Sequence, residues 1–222
     1  MEEKKEYNVL RKQANWHNLW FYHKTLTLYH LTVVFTQRFL PAHGDRTVDQ
    51  MVQAARSGKQ NIVEGTADGV TSTEMEIKLL NVARASIQEL QEDYADYLRN
   101  HQQPLWDSSH KRYEAMLRFC RNNNNVEQYE PFLNTWRDEE MANVAYTLCR
   151  IIDKMMTNYL KKLEARFVAE GGIKERMTAA RIGYRTDKEE ALRAAQQEIA
   201  ALKAQVARLQ AIIEKLTKEQ SQ

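Results

Sequence analysis

The stretch "NWHNLWFYHKTLTLYHLTVVFTQRFL" carries two apolar stripes at helical spacing. One is Leu19, Leu26, Tyr29 and Val33; the other is Phe21, Leu28, Leu31, Phe35 and Phe39. Together they cover most of a helix circumference, more than a helix wet on one side needs. The pattern predicts a first helix over about residues 15–40, one face buried in its own fold and the other against a neighbouring subunit, with Pro41 and Gly44 ending it. A second helix is expected after Asp45, over about 47–64, with Val48, Met51, Val52, Ala55, Ile62 and Val63 as its apolar face and Gly65 at the C-terminal cap position.

The turn "TADGVTSTEME" leads into a third helix, where Thr71 with Glu74, or Thr73 with Glu76, fits a capping box. That helix runs to about residue 100 on a stripe of Ile77, Leu80, Ala83, Ile87, Leu90, Tyr94 and Tyr97, and its acidic end "ELQEDYADY" opposes the helix dipole. Residues 101–137 read as an irregular connection holding two short helical pieces. A fourth long helix, over about 138–169, keeps helical period through Met141, Val144, Leu148, Ile152, Met155, Tyr159, Leu163 and Phe167, and Gly171 and Gly172 end it.

Beyond residue 170 the pattern changes. Residues 171–186 are basic, and Lys174, Arg181 and Arg185 fall on one side of a helix. Residues 187–222 form a heptad repeat: Leu192, Ile199, Val206 and Ile213 at a, and Ala195, Leu202, Leu209 and Leu216 at d. β-Branched a with Leu at d favours a parallel dimer, while Ile212 at g and alanines at b, c and f widen the seam and leave the strand number open. The chain thus divides into a helical body of residues 1–170, a basic segment and a coiled-coil helix.

Composition supports an all-α class. In 222 residues there are 7 Gly and 3 Pro, which suits long helices with few tight turns, and no alternating β-branched run asks for a sheet. A hydrophobic content of 43% with 28% charged residues reads as folded rather than disordered. The opening "MEEKKEYNVLRK" has no apolar run, no segment reaches about 18 apolar residues, and Cys120 and Cys149 have no metal-like spacing, so a cytoplasmic protein with two reduced core thiols and no membrane span is expected.

Candidate chemistry is sparse. No phosphate-loop, dinucleotide, zinc-protease or serine-hydrolase motif occurs. His23 and His30 share a helix face but lack further ligands at metal spacing. The expectation is no enzyme, no cofactor and no metal. Basic residues are the remaining constellation. Net charge is only +2, and residues 45–100 carry ten acidic and six basic side chains, so any electrostatic surface must be local. The candidates are Arg46, Arg56 and Lys59 on the second helix, Lys78 and Arg84 on the third, Lys12, Lys24 and Arg38 near the first, and Lys174, Arg181 and Arg185 beyond the body. Repeated by oligomerisation, such residues could form a belt for nucleic-acid phosphates.

The stretch "QAARSGKQNIVEG" followed by "EIKLLNVARASIQELQEDY" resembles the small four-helix-bundle proteins encoded in intervening sequences of bacterial 23S ribosomal RNA genes, a family that includes the accessory variability determinants of diversity-generating retroelements. The residues that carry the resemblance are Ala55, Ser57, Asn61, Ile62, Glu64, Gly65, Ser86, Glu89 and Leu90, and "FVAEGGIKERMTAAR" looks like the C-terminal suffix of one branch. The resemblance implies an antiparallel up-and-down four-helix bundle that assembles into a ring-like homopentamer. It also implies, by analogy with the retroelement members, an accessory role beside a reverse transcriptase and its RNA. On this reading Gly58 permits close helix approach, and Asn61, Glu64 and Ser86 satisfy one another's polar groups inside the bundle, with Gly65 part of the same structural motif. The alternative is a purely structural oligomerisation module without nucleic acid.

Overall fold

The computed structural model describes residues 7, 9–11, 15–41 and 46–219; Lys12, Gly44 and Asp45 lie outside the described residues. Among those described the chain is all-helical: α1 (Trp20–Phe39), α2 (Arg46–Asp68), α3 (Thr73–Asn100), α4 (Tyr113–Asn122), α5 (Glu130–Leu133), α6 (Asp138–Glu170) and α7 (Ile173–Glu219), with 3-10 turns at Trp16–Asn18 and Val126–Gln128. Residues Leu10–Ile173 form one compact unit, and α7 from Lys174, with Tyr7 and Val9 along it, belongs to another.

In the first unit α2 packs on α3, α3 on α6, and α1 on both α2 and α6. Pairings along α3 and α6 run in opposite directions: Tyr159 donates to Glu76, Arg84 pairs with Asp153, and Tyr97 donates to Asp138. The shared core holds Leu28, Leu31 and Phe35 from α1, Met51 and Ile62 from α2, Leu80, Ile87 and Leu90 from α3, and Leu148 and Ile152 from α6. Each such burial contributes about 1.5–3 kcal/mol before chain entropy is counted. Phe35 meets the rings of Tyr94 and Tyr97 edge-on at 5.1 and 4.8 Å. Both predicted stripes of α1 are visible. Phe21, Leu28, Leu31 and Phe35 are core, whereas Leu26, Tyr29 and Val33 are half-buried and Trp20 is exposed. Buried threonines on these helices bond back to their own backbone: Thr25, Thr32 and Thr66 each donate at 2.7 Å to the carbonyl four residues earlier.

Two helix-end expectations are corrected. Gly65 does not cap α2; it is buried inside the helix, which continues to Asp68. A Cβ there would meet Leu79 Cβ at 3.1 Å and the Glu76 carbonyl at 3.3 Å, so the glycine serves close packing against α3. Ser72 caps α3, its Oγ accepting from the Met75 amide at 3.1 Å; Thr73 and Glu76 turn inward instead, and both are buried. At the other end of α6, Gly171 takes φ 70° and its amide donates to the Phe167 carbonyl at 2.9 Å, the capping role its position predicts. Past Gly172 a single continuous helix, α7, spans both the basic segment and the heptads.

The connection over 101–137 is tied to the long helices by polar groups. Asn143 accepts from the Trp106 amide at 2.7 Å and donates to the Pro104 carbonyl, and the Trp106 indole donates to Glu139 at 2.8 Å. From α1, the buried Lys24 ammonium donates to the carbonyls of Cys120, Arg121 and Asn123, and Thr27 donates to that of Asn124. Those carbonyls are the orphaned acceptors at the end of α4, so a cation beneath them meets both the hydrogen-bond need and the helix dipole. Lys24 is therefore not a surface cation.

Candidate functional site

The α2–α3 contact is built from small residues at helical spacing. Ala54, Gly58 and Gly65 are buried on one face of α2, and Ala83 and Ser86 are buried on α3. A Cβ on Gly58 would lie 2.7 Å from Ile87 Cδ1 and 3.2 Å from Cγ1, so glycine permits the close approach of the two helices and any side chain there must displace Ile87. The polar residues beside it form a short relay. Asn61 donates to the Ser57 carbonyl at 2.9 Å and to the Ser57 hydroxyl at 3.2 Å, and that hydroxyl pairs with Ser86 Oγ at 3.0 Å. Glu64 takes no part in this relay; it sits on the exposed side of α2.

A cavity of about 640 Å³ opens beside the relay, bordered by Arg46, Asp49, Gln53, Ser57, Ser86, Glu89 and Asp93. Three carboxylates against one guanidinium make it acidic. The Asp93 carboxyl is pushed up by burial first, then by Asp96 and Glu89 nearby. This wall repels phosphate.

The proposed nucleic-acid residues of the first unit are dispersed and several are already engaged. Arg46 borders the acidic cavity, and Arg56 is exposed on α2. Lys59 stands 4.5 Å over the Tyr29 ring, a cation–π contact to α1. Lys78 pairs with Glu74 at 2.7 Å, one turn away on α3, and Arg84 bridges to Asp153 on α6 at 3.0 Å. Arg38 donates to the carbonyls of Leu133 and Trp136 and so fastens the end of α5. Arg46 and Arg56 form no ion pair among the described residues.

No known protein family, curated protein or solved structure matches the chain.

On α7, Lys174, Arg181 and Arg185 are exposed, as the sequence pattern suggests. Arg181 and Arg185 border a cavity of about 450 Å³ together with Lys188, Tyr184 and Tyr7. Tyr7 is held there by Asp187, to which its hydroxyl donates, and its ring meets Tyr184 edge-on at 6.0 Å. The bond to the Asp187 carboxylate pushes the Tyr7 phenol up to about 12. Gly183 makes room for that ring: a Cβ would lie 2.7 Å from Tyr7 Cε1. The heptad residues Leu192, Ile199, Leu202, Val206, Leu209, Ile213 and Leu216 are all exposed, at 52–62% of their full areas.

Both cysteines are free and buried; burial pushes the Cys120 thiol up to about 12 and raises Cys149 as well, which suppresses the thiolate. Among the described residues no group of three or more His, Cys, Asp or Glu is placed to hold a metal ion, and no helix is long and apolar enough to cross a membrane.

Proposed function

We propose that this chain is a non-enzymatic, self-associating helical scaffold. Its body is read as an antiparallel up-and-down four-helix bundle of α1, α2, α3 and α6, supported by the opposed pairings of α3 with α6 and the short turn between α2 and α3. Its assembly element is α7. The observation that carries this reading is the exposed heptad seam, an apolar stripe four heptads long that water would otherwise wet. The occupant is a second copy of α7, parallel and in register. In that arrangement Glu198 at g faces Lys203 at e of the other copy, an attractive pair, and no g–e' pair of the repeat sets like charges together.

Sedimentation equilibrium of the full chain tests this. A mass that falls when Leu202→Glu and Leu209→Glu are introduced together supports α7 as the joint; a mass unchanged by the pair removes it. The resemblance adds a ring-like homopentamer of the body, and the mass that survives the double substitution measures that assembly separately.

A second reading places the scaffold beside a nucleic-acid enzyme, a reverse transcriptase with its RNA, in the cytoplasm. It is favoured by the exposed Arg56, Lys174, Arg181 and Arg185, none of which forms an ion pair among the described residues. Filter binding of RNA in rising salt, with and without a cognate polymerase, is its test. Retention at low salt that falls steeply with salt supports it, and no retention in either mixture rejects it.

A further inference from the structure

Three cations that the sequence pattern did not single out gather on one cavity of the first unit. Between α4 and α6 lies a cavity of about 460 Å³, within the range of small-ligand pockets. Arg121 of α4 and Arg150 and Lys154 of α6 border it, all three exposed, and no carboxylate is on its wall. Arg150 and Lys154 are one turn apart, a like-charge spacing that costs a helix a few tenths of a kcal/mol. Five other cations of the same unit, Arg11, Lys78, Arg84, Arg99 and Arg112, each pair with a carboxylate. Arg121, Arg150 and Lys154 pair with none among the described residues. Arg150 and Lys154 also border a second cavity whose acidic residues are Asp153, already held by Arg84 and Gln88, and Glu92.

The same wall carries Tyr113 and Tyr146. Every other tyrosine of the chain has a ring partner within about 6 Å: Tyr7 has Tyr184, Tyr22 has His17, Tyr29 has His30, Tyr94 and Tyr97 have Phe35, Tyr129 has Phe119, and Tyr159 has Phe21. Tyr113 and Tyr146 have none among the described residues, and both are half-buried. Both pack partly against the core, and each keeps an edge on this cavity; aromatic surface beside uncompensated cations combines the two elements that recognise a base and its phosphate.

We infer that the α4–α6 cavity binds a phosphate-bearing planar aromatic, a nucleotide unit, with phosphate on Arg150, Lys154 and Arg121 and the base against Tyr113 and Tyr146. The unit comes either as a free nucleotide or as part of a single strand. The assignment does not depend on α7.

The test is titration of the folded full-length chain with AMP, with an oligoadenylate hexamer and with inorganic phosphate, followed calorimetrically at low salt. AMP or the hexamer binds, and Arg150→Gln with Lys154→Gln weakens binding at least tenfold while the circular dichroism spectrum stays that of the parent. Arg121→Gln, on the other helix, weakens it in the same direction. Tyr146→Leu lowers affinity for AMP and the hexamer but not for inorganic phosphate. For the hexamer, three phosphate contacts give a log–log salt slope of about −2. Binding of both AMP and hexamer marks a free-nucleotide site; binding of the hexamer alone marks a strand. No binding of either at low salt, or binding indifferent to all these substitutions, overturns the inference. Lost association with intact nucleotide binding counts only against the scaffold, and the reverse result only against this cavity.

Discussion

Gly58 is the most discriminating single residue of the α2–α3 joint. Its nearest obstacle to a Cβ is the tip of Ile87, a side chain that can change rotamer, with the Ala83 carbonyl at 3.7 Å behind it. Alanine there sets an overpacking cost of about 1–3 kcal/mol against about 1 kcal/mol of regained helix propensity, so Gly58→Ala is mildly destabilising. Leucine has no such escape, and Gly58→Leu lowers stability by about 3 kcal/mol or more, read as a shift in the urea midpoint. A Leu variant with the parent's midpoint would remove the joint. Lys24 offers a second test. It is 2% exposed, and burial lowers its ammonium to about 8. Between pH 8 and the unfolded value near 10.5, the unfolded chain holds a proton that the folded chain has released, so this group's contribution to stability rises with pH in that window. The slope is at most about 1.4 kcal/mol per pH unit. The buried cysteines act in the opposite direction: an unfolded thiol ionises near 9, whereas the folded Cys120 holds its proton to about 12 and Cys149 is raised as well, so their contribution falls as pH rises through this range. Above pH 10 the buried Tyr159, pushed up to about 12 chiefly by burial, adds to that fall. Between about pH 7.5 and about pH 9.5 the denaturant midpoint therefore changes more favourably in the parent than in Lys24→Met, and the difference between the two isolates Lys24. An equal change in both would show that Lys24 does not titrate there.

At the scale of elements, the charge order of α7 predicts a charge swap. Glu198→Lys sets two ammonium groups against each other at the g–e' position shared with Lys203 of the other copy, and so weakens association in a parallel pair. Adding Lys203→Glu restores it, because the attractive pair is rebuilt with reversed signs. Failure of the second change to rescue the first rejects the parallel register. The long helices were legible because apolar period reports burial directly, as with Leu80, Ile87, Leu90 and Tyr94 on α3. Helix ends were less so. "TSTEME" offers three hydroxyls able to cap, and the choice of Ser72 follows from the inward burial of Thr73 and Glu76, a tertiary fact. Gly65 precedes a turn in the manner of a cap, yet close packing on Leu79 keeps it helical. The site was the least legible part. Arg84 finds Asp153 across 69 positions, and Arg121 meets Arg150 and Lys154 only when α4 is folded onto α6. Residue spacing along one helix carries no trace of either.

For the whole molecule, the unequal treatment of its cations decides which experiments inform. Substituting Lys78 or Arg84 disturbs ion pairs on or between helices, so a loss of RNA retention in either variant reports on structure first. For Arg84→Ala, which leaves a partly buried Asp153 with Gln88 alone, the expected loss is about 1 kcal/mol of stability, visible in thermal unfolding. An unchanged unfolding temperature would show that the bridge contributes nothing measurable.

The hold of α1 on the end of α4 also has a kinetic meaning. Lys24 meets the carbonyls of Cys120 and Asn123 across 96 and 99 positions, and Thr27 meets Asn124 across 97. The α2–α3 hairpin, by contrast, joins through a few residues at Gly69 to Ser72. Contacts that close long loops form late and are lost early relative to local ones. In native-state hydrogen exchange the amides of Met116 to Asn123 therefore open at lower free energy than those of Leu80 to Leu98, in a partial unfolding that releases α4 while the hairpin stands. Since α4 supplies one wall of the cavity beside Arg150, that partial opening would also set how quickly anything held there can leave.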